Sequence, residues 1–260
     1  MLFSLFSGRM SKDAVVFMII TLILRLPAIL FSLSFHEASH GFVANKLGDP
    51  TAKNLGRVTL NPLKHLDPLG ALAMLVVGIG WAKPVPVNAR YFKKPKRDMA
   101  LTAAAGPLSN LAQGIVAIVL MFVATKFFLM NSEISGFAGY FQIDCGTFDG
   151  LYDLLYNVIL QDAFDFGLRV AAVCIYALFV FAVLNFVLAL FNLIPVPPFD
   201  GSRVAFVLLP DKYYFAVMKY ERFIMIGFIV LFFAGSRLGW FDGIFSGFTN
   251  LFFMAFSWIL

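Results

Sequence analysis

The chain has 260 residues, of which 60% are hydrophobic and 13% are charged. Soluble domains carry about 25% charged residues, so this composition excludes an ordinary soluble protein and indicates that lipid covers much of the surface. The net charge of +5 belongs to the loops and does not indicate nucleic-acid binding. Cys145 lies in a polar stretch and Cys174 in an apolar one, which predicts neither a disulfide framework nor a cysteine metal site.

Five apolar runs are candidate membrane spans, since a bilayer core needs about 20 apolar residues per helix. They cover residues 14–34, 101–130, 170–193, 223–236 and 243–260. Pro27 predicts a kink in the first span. The run at 68–82 is short and rich in glycine, which favours a re-entrant or interfacial segment. We therefore expect an all-α polytopic membrane protein with five to six spans.

The loops between the spans differ in charge, and this difference predicts their sides of the membrane. Residues 46–98 hold ten basic and three acidic side chains, whereas residues 131–169 hold one basic and six acidic ones. Because Lys and Arg concentrate on the cytoplasmic side, we place 46–98 inside, 131–169 outside and the N-terminus outside. The basic run 93–97 is typical of an anchor at anionic lipid head groups.

The first chemical motif is His36-Glu37-Ala38-Ser39-His40, at the end of an apolar stretch. Histidines four residues apart lie on one face of a helix, where both imidazoles can reach one metal ion. In this pattern Glu37 is not a ligand but the base that takes a proton from the attacking water. The alternative is that the helix has already left the membrane and these side chains are merely solvated. Because polar groups in apolar surroundings need compensation, we favour a shared divalent cation.

A third ligand is expected, because catalytic zinc takes three protein ligands and leaves a fourth position for water. Asp200 is the strongest candidate. It follows an apolar span and a segment in which Pro195, Pro197 and Pro198 break the helix. Broken backbone at membrane depth is tolerated where it is buried in protein or lines a wet cavity. The alternative is a plain turn in which Asp200 caps the next helix. The spans that precede His36 and Asp200 both run inward, so both residues reach the same face.

The motifs HEASHG, AAAGPLSN and NLIPVPPFDG occur in this order along the chain. Together they resemble the site-2 proteases, which are intramembrane zinc metalloproteases. The stretches GDPTAKNLGRVTLNPLKHLDPLG and GWAKPVPVN are similar to the small prokaryotic branch of that family, which lacks a PDZ domain. About 38 residues separate the second and third core helices, too few for the PDZ domain that longer members carry there.

Composition and the apolar runs predict one membrane domain over residues 1–260, with a catalytic core at about 14–210 and C-terminal helices at about 222–260. The resemblance covers roughly residues 26–210. It implies one Zn²⁺ held by His36, His40 and Asp200, with Glu37 as the general base. The expected substrates are transmembrane proteins, cut by regulated intramembrane proteolysis in a prokaryotic cytoplasmic membrane, with the active site toward the cytoplasm. No feature of the sequence indicates an oligomeric state.

Three further polar residues receive roles from the same resemblance. Asn110 matches a polar position near the metal, where an amide is expected to hydrogen-bond the substrate or the developing oxyanion. Asn192 is a weaker candidate for that role; alternatively, it bonds a carbonyl freed by Pro195 or Pro197. His65 either acts near the site or anchors the re-entrant segment.

Two short stretches, 56–60 and 85–88, have strand-like composition and predict a small β element at the cytoplasmic face. An edge strand there could pair with an unwound substrate by strand addition. Pro84 and Pro86 suit an edge position, because proline cannot donate to a sheet.

Three other functions fit parts of the pattern. A metal-ion transporter also holds histidines and acids inside the membrane, but it needs no glutamate beside its ligands, and no inverted repeat is visible. A catalytically silent scaffold would bind membrane helices, although the four chemical positions are all filled here. A membrane-anchored protease that cuts soluble chains would require a site outside the lipid.

Overall fold

The computed structural model describes residues 11–70, 82–210 and 253–260, together with isolated residues between 212 and 251. The helices are α1 (Lys12–Lys46), α2 (Thr51–Asn54), α3 (Pro95–Leu129), α4 (Ser132–Tyr140), α5 (Phe148–Leu160), α6 (Phe166–Asn192) and α7 (Asp200–Phe206). Short 3₁₀ turns lie at Pro62–Lys64, Ala89–Tyr91 and Ser257–Ile259. None of the described residues is in a β-strand.

Within the part of the chain that the structure describes, three helices, α1, α3 and α6, are long and apolar enough to cross a membrane. They confirm the helices predicted around 14–34, 101–130 and 170–193. The helix α3 is central and packs against α1, α6 and α7. It runs antiparallel to α1, since His40 contacts Thr102 while His36, one turn earlier, contacts Asn110. The ends of α1 and α6 and the start of α3 therefore meet at one end of the bundle.

Local chemistry explains where the long helices begin and end. The hydroxyl of Ser11 accepts a hydrogen bond from the N–H of Ala14 and caps α1. Pro95 is the first residue of α3, where its missing N–H costs no helical bond. The helix α6 ends at Asn192 because prolines follow closely. Pro27 lies inside α1, and the helix continues through it.

The linker between α3 and α6 folds back as α4 and α5 at the far end of the bundle. The helix α5 is amphipathic and packs its apolar face on α6 and α1. Its fully buried side chains are Leu151, Leu154, Leu155 and Val158. Phe17 of α1 makes edge contacts with Tyr152 and Tyr156 of α5. The linker is thus occupied by two short helices that belong to the same core.

The re-entrant run, the last two spans and the β element are not confirmed by the described residues. Most of the re-entrant run 68–82 and most of the span predicted at 223–236 lie outside the described residues. Of the span predicted at 243–260, residues 253–260 are described, and most of 243–252 are not. The stretches 56–60 and 85–88 are irregular rather than β-strands. The reason is local: the N–H groups of Val85 and Asn88 donate to side-chain carboxylates and not to a neighbouring strand.

Candidate metal centre

Three side chains singled out by the sequence meet between α1 and α7. His36 and His40 lie one turn apart on α1, and Asp200 is the first residue of α7. The Oδ2 atom of Asp200 is 3.1 Å from Nε2 of His36 and 3.3 Å from Nε2 of His40. The two Nε2 atoms are 3.0 Å apart. The proline-broken segment therefore brings Asp200 to His36, although 164 residues separate them along the chain.

The other nitrogen of each imidazole is tied to an acceptor on α3. Nδ1 of His36 contacts Oδ1 of Asn110, and Nδ1 of His40 lies 2.7 Å from the carbonyl oxygen of Thr102. A carbonyl oxygen only accepts, so each Nδ1 carries the proton and donates it. Each Nε2 consequently presents a lone pair toward the centre of the site, which is the form that binds metal.

With both Nδ1 protons donated to α3, the two Nε2 atoms and the Asp200 oxygen bring three electron-pair donors together. Two imidazole lone pairs and a carboxylate oxygen repel one another unless a cation lies among them. Tetrahedral zinc with bonds of about 2.0–2.2 Å places its ligand atoms about 3.3–3.5 Å apart, close to the separations seen here. The donor set of His36, His40 and Asp200 therefore fits a zinc ion with one position open.

A glycine on α3 makes room for the imidazoles. A Cβ atom at Gly106 would lie 2.4 Å from Nε2 of His40 and 2.6 Å from Cε1 of His36. These distances are far below any van der Waals contact, so no other residue fits here while the rings keep their positions. Gly106 thus lets α3 approach α1 closely enough to place Asn110 on His36.

The carboxylate arrives through a tight turn. After α6 ends, the chain turns through the prolines and starts α7 at Asp200. A Cβ atom at Gly201 would lie 2.3 Å from the carbonyl oxygen of Leu193. The absence of a side chain at Gly201 therefore allows the start of α7 to lie directly against the end of α6. Asp200 lies in the first turn of α7, but the N-cap is Phe199 and no described side chain caps this helix, so the turn brings the carboxylate to the histidines without using it as a cap.

Glu37 lies beside the histidines on α1 and is almost completely buried. Its Oε2 atom accepts a hydrogen bond of 2.8 Å from the backbone N–H of Val85. The sequence carried no signal for this contact, because a backbone N–H is present at almost every residue. The carboxylate is therefore held in place at the edge of the metal centre.

Asn110 lies at the metal centre, but its hydrogen bonds differ from those expected. The side chain is fully buried, with Oδ1 on His36. Its amide nitrogen donates to Oδ1 of Asn185 at 2.8 Å and to the carbonyl oxygen of Ser32 at 3.3 Å. This arrangement favours orientation of His36 over direct contact with substrate. Sequence reasoning missed Asn185, although an isolated amide in the apolar α6 was a usable signal.

The two remaining candidates lie away from the three donor atoms. The amide of Asn192 donates to the carbonyl oxygen of Leu188 within its own helix, not to a carbonyl freed by a proline. His65 is buried, and its Nε2 donates to the carbonyl oxygen of Thr59 at 2.8 Å. Its own carbonyl accepts from the N–H of Lys83 at 2.9 Å. These bonds link His65 to residues 59 and 83, whereas the re-entrant segment that it was expected to anchor lies mostly outside the described residues.

An apolar groove of about 530 Å³ opens between α1, α3 and residues 58–60. It is lined by Phe35, Phe42 and Leu108, among others. At about 100° per residue, Phe35 and Phe42 project roughly 140–160° away from Glu37 around α1. The groove therefore lies on the face of α1 that is turned away from the candidate base.

Comparison with known proteins identifies the family. Residues 25–234 match the model of peptidase family M50. A Bacillus subtilis (strain 168) protein named "Putative zinc metalloprotease YwhC" is 37% identical over 226 residues, covering 86% of this chain and 84% of its own.

Two mycobacterial proteins, each named "Putative zinc metalloprotease Rip2", are also similar. The Mycolicibacterium smegmatis protein is 33% identical over 106 residues, which is 38% of each chain. The Mycobacterium tuberculosis (strain H37Rv) protein is 25% identical over 221 residues, covering 83% of this chain and 68% of its own. No solved structure was found to match.

The family match favours hydrolysis over the transporter and scaffold alternatives, since the matched model is that of a peptidase and covers most of the chain. Together with the three apolar helices, it shows that the chain belongs to peptidase family M50, the site-2 protease family, and is a membrane metalloprotease.

Proposed function

We propose that this metalloprotease is an intramembrane zinc enzyme that cuts membrane-spanning proteins. His36, His40 and Asp200 hold the zinc, and Glu37 is the general base. The observation that carries the proposal is the convergence of two Nε2 lone pairs and a carboxylate oxygen within 3.0–3.3 Å of one another. The curated relatives' names, which include zinc, support the identity of the metal.

The position of the site along α1 supports cleavage within the membrane. At a rise of 1.5 Å per residue, His36 and His40 lie about 15 Å and 9 Å before Lys46, which ends the helix. The side chains of His36 and His40 are only 7% and 11% exposed, whereas that of Asp200 is 21% exposed. Water therefore reaches the centre most directly from the Asp200 side, at the end of the bundle where α1 and α6 finish.

The chemistry divides between the metal and the protein. Bound zinc would lower the pKa of a water molecule and polarise the carbonyl of the scissile peptide bond. Glu37 takes one proton from the attacking water as the new C–O bond forms. The same carboxyl group then gives that proton to the leaving amine as the C–N bond breaks. Asn110 holds His36 in the tautomer that this arrangement needs.

A membrane-spanning substrate must lose its helical hydrogen bonds before this reaction, because the helix encloses its peptide groups. Strand addition to residues 82–88 finds few donors here, since the N–H groups of Lys83, Val85 and Asn88 are already bonded and prolines at 84 and 86 have none. Other parts of the site must therefore hold most of the substrate backbone. Zinc held by His36, His40 and Asp200 would bind the carbonyl oxygen of the scissile peptide bond.

The test uses purified protein in lipid nanodiscs with a panel of tagged single-span fusion proteins. We expect wild-type protein with one zinc to cut at least one of them, and Glu37→Gln to retain zinc but lose cleavage by several orders of magnitude. His36→Ala should lose zinc as well. Cleavage by Glu37→Gln at the wild-type rate would refute the assignment of the base.

A second arm tests where the substrate must lie. The segment that contains the cleavage site is presented once within a membrane span and once in a soluble fusion of the same sequence flanked by charged residues. We expect cleavage of the membrane-spanning form to be favoured at least tenfold in kcat/KM. Equal cleavage of both forms would instead support a membrane-anchored protease of soluble chains.

A further inference from the structure

The hydrogen bond between Glu37 and Val85 has no part in the chemistry described above. Oε2 of Glu37 accepts from the Val85 N–H at 2.8 Å, and both residues are buried. The other carboxylate oxygen, Oε1, has no hydrogen-bond partner among the described residues. One oxygen of the base is thus bonded to the protein, and the other remains available.

Val85 belongs to a stretch, residues 83–88, that is bonded to the rest of the protein through its backbone; we call it the strap. The N–H of Lys83 donates to the carbonyl oxygen of His65 at 2.9 Å, and its carbonyl accepts from Arg57 at 2.7 Å. At the other end, the N–H of Asn88 donates to Oδ2 of Asp49 at 2.7 Å. The Val85 N–H lies between these fixed points.

The sequence of the strap restricts its shape. Pro84 and Pro86 flank Val85, and each proline fixes its own φ angle and restricts the residue before it. Neither proline has an N–H, so the N–H of Val85 is the only backbone donor between them. The direction in which it points is therefore set by a stiff backbone that is bonded at both ends.

A glycine on α1 brings the strap to the catalytic helix. A Cβ atom at Gly41 would lie 3.0 Å from Cγ2 of Val58, 3.2 Å from Cβ of Ala52 and 3.3 Å from Cγ1 of Val85. The side chains of Val58, Ala52 and Val85 therefore pack directly on the backbone of α1 at Gly41. Gly41 lies one turn after Glu37 on the same side of α1, so this packing places the Val85 backbone over the carboxylate.

We propose that the Val85 N–H is a positioning group that fixes one oxygen of Glu37 so that the other faces the attacking water. The proposal rests on the proposed role of Glu37 as the base. A glutamate side chain has several rotatable bonds, and its freedom lowers the fraction of time in which the base is aligned. Alignment of a reacting group contributes strongly to rate, and small misplacements cost up to about 100-fold.

The sharpest test replaces the Val85 N–H by an oxygen atom and leaves the side chain intact. Cell-free translation into nanodiscs can insert the α-hydroxy analogue of valine, so that an ester replaces the amide. The matched control is the same replacement at Val87, whose N–H has no partner among the described hydrogen bonds. We expect the Val85 ester to keep zinc and KM while kcat falls about ten- to a hundredfold, and the Val87 ester to match wild type.

Each other outcome overturns the proposal. Wild-type kcat in the Val85 ester would show that the bond does not position the base. Loss of zinc or of thermal stability along with kcat would show that the bond is merely structural, and a rise in KM alone would assign it to substrate binding. Glu37→Gln, measured in parallel, distinguishes failure of this inference from failure of the proposed function. If Glu37→Gln is inactive while the Val85 ester is normal, Glu37 remains the proposed base and only the positioning role of Val85 fails.

Discussion

Oδ1 of Asn110 accepts the Nδ1 proton of His36, and this one bond decides which nitrogen of the ring faces the metal centre. The amide of Asn110 donates in turn to Asn185, so the three side chains connect α1, α3 and α6. The metal centre is therefore supported by every long helix described. Its geometry depends on the packing of the bundle and not only on the histidine helix.

Replacing Asn110 by leucine should weaken zinc binding without unfolding the protein. The change leaves Nδ1 of His36 and Oδ1 of Asn185 without partners and releases the imidazole from its tautomer. Loss of such supporting bonds typically costs about 10–100-fold in metal affinity. Competition with a zinc chelator of known affinity measures it. Asn192→Leu is the control, because among the described residues its amide bonds within its own helix alone. Equal losses of zinc affinity in both variants would contradict the role of Asn110 in holding His36.

Gly106→Ala should abolish zinc binding, since the new methyl group would lie 2.4 Å from Nε2 of His40. The imidazoles would have to leave their positions or α3 would have to move. Metal content of the purified variant and cleavage of the fusion substrate both report the result. Gly136→Ala is a matched helical control, because a Cβ atom at Gly136 meets nothing within 4 Å. An active, zinc-bound Gly106→Ala variant would disprove the close approach of α3.

Gly201→Ala should separate the third ligand from the first two. The added Cβ atom would lie 2.3 Å from the carbonyl oxygen of Leu193, so α7 must shift away from α6 and carry Asp200 with it. We expect a zinc content well below one per chain and at least a hundredfold loss of cleavage, comparable to Asp200→Ala measured beside it. If Gly201→Ala behaves as wild type while Asp200→Ala does not, the turn is more tolerant than its packing indicates.

Removal of the metal should lower stability as well as activity. A chelator leaves the lone pairs of His36 and His40 facing the carboxylate of Asp200, and the binding free energy of the metal is lost from the folded state. At a free zinc concentration 100 times the dissociation constant, binding contributes about 2.7 kcal/mol. Thermal unfolding in nanodiscs with and without chelator measures the change. The Asp200→Ala variant should show a much smaller response, and an equal response would place the metal elsewhere.

Asp49→Asn should loosen the strap at its far end. The buried carboxylate of Asp49 accepts from the N–H and hydroxyl of Thr51 and from the N–H of Asn88. In the Asp49→Asn variant an NH₂ group replaces one carboxylate oxygen, so a hydrogen-bond donor faces either the Thr51 groups or the Asn88 N–H. The lost bond lowers the free energy of unfolding by about 1–3 kcal/mol. Chemical unfolding and protease resistance of the 82–94 region report the loss. Asp67→Asn should cost less, because among the described residues the Asp67 carboxylate accepts from the N–H groups of Leu69 and Gly70 alone.

The ligand set was predictable because its residue types carry chemical information. Two histidines at helical spacing identify a metal site, and the prolines before Asp200 show that the chain must turn where the span ends. The charge difference between the loops predicts that the spans 14–34 and 170–193 end on the same face of the membrane. These signals together predicted that Asp200 reaches the same face as His36, and the resemblance to the site-2 proteases supplied its expected role as a ligand.

The support around the ligands was less predictable, for two physical reasons. Thr102 and Val85 act through backbone carbonyl and N–H groups, which every sequence contains. Asn110 was recognised but assigned to substrate, because the sequence does not show which way an amide points. The strands expected near residues 56–60 and 85–88 depended on composition alone. At 85–88, carboxylates accept from the backbone N–H groups of Val85 and Asn88. At 56–57, the N–H groups donate to carbonyl oxygens of residues 53 and 52 instead of a neighbouring strand.

The placement of Asp200 has a consequence for the synthesis of this enzyme. A ribosome makes α1 first, with both imidazoles and Glu37, but the carboxylate follows only after α3 and α6 have been inserted. A nascent chain therefore lacks a complete set of candidate ligands until residue 200 has been made. As proposed here, a nascent chain cannot cut its own α1, α3 and α6 while these helices are entering the membrane.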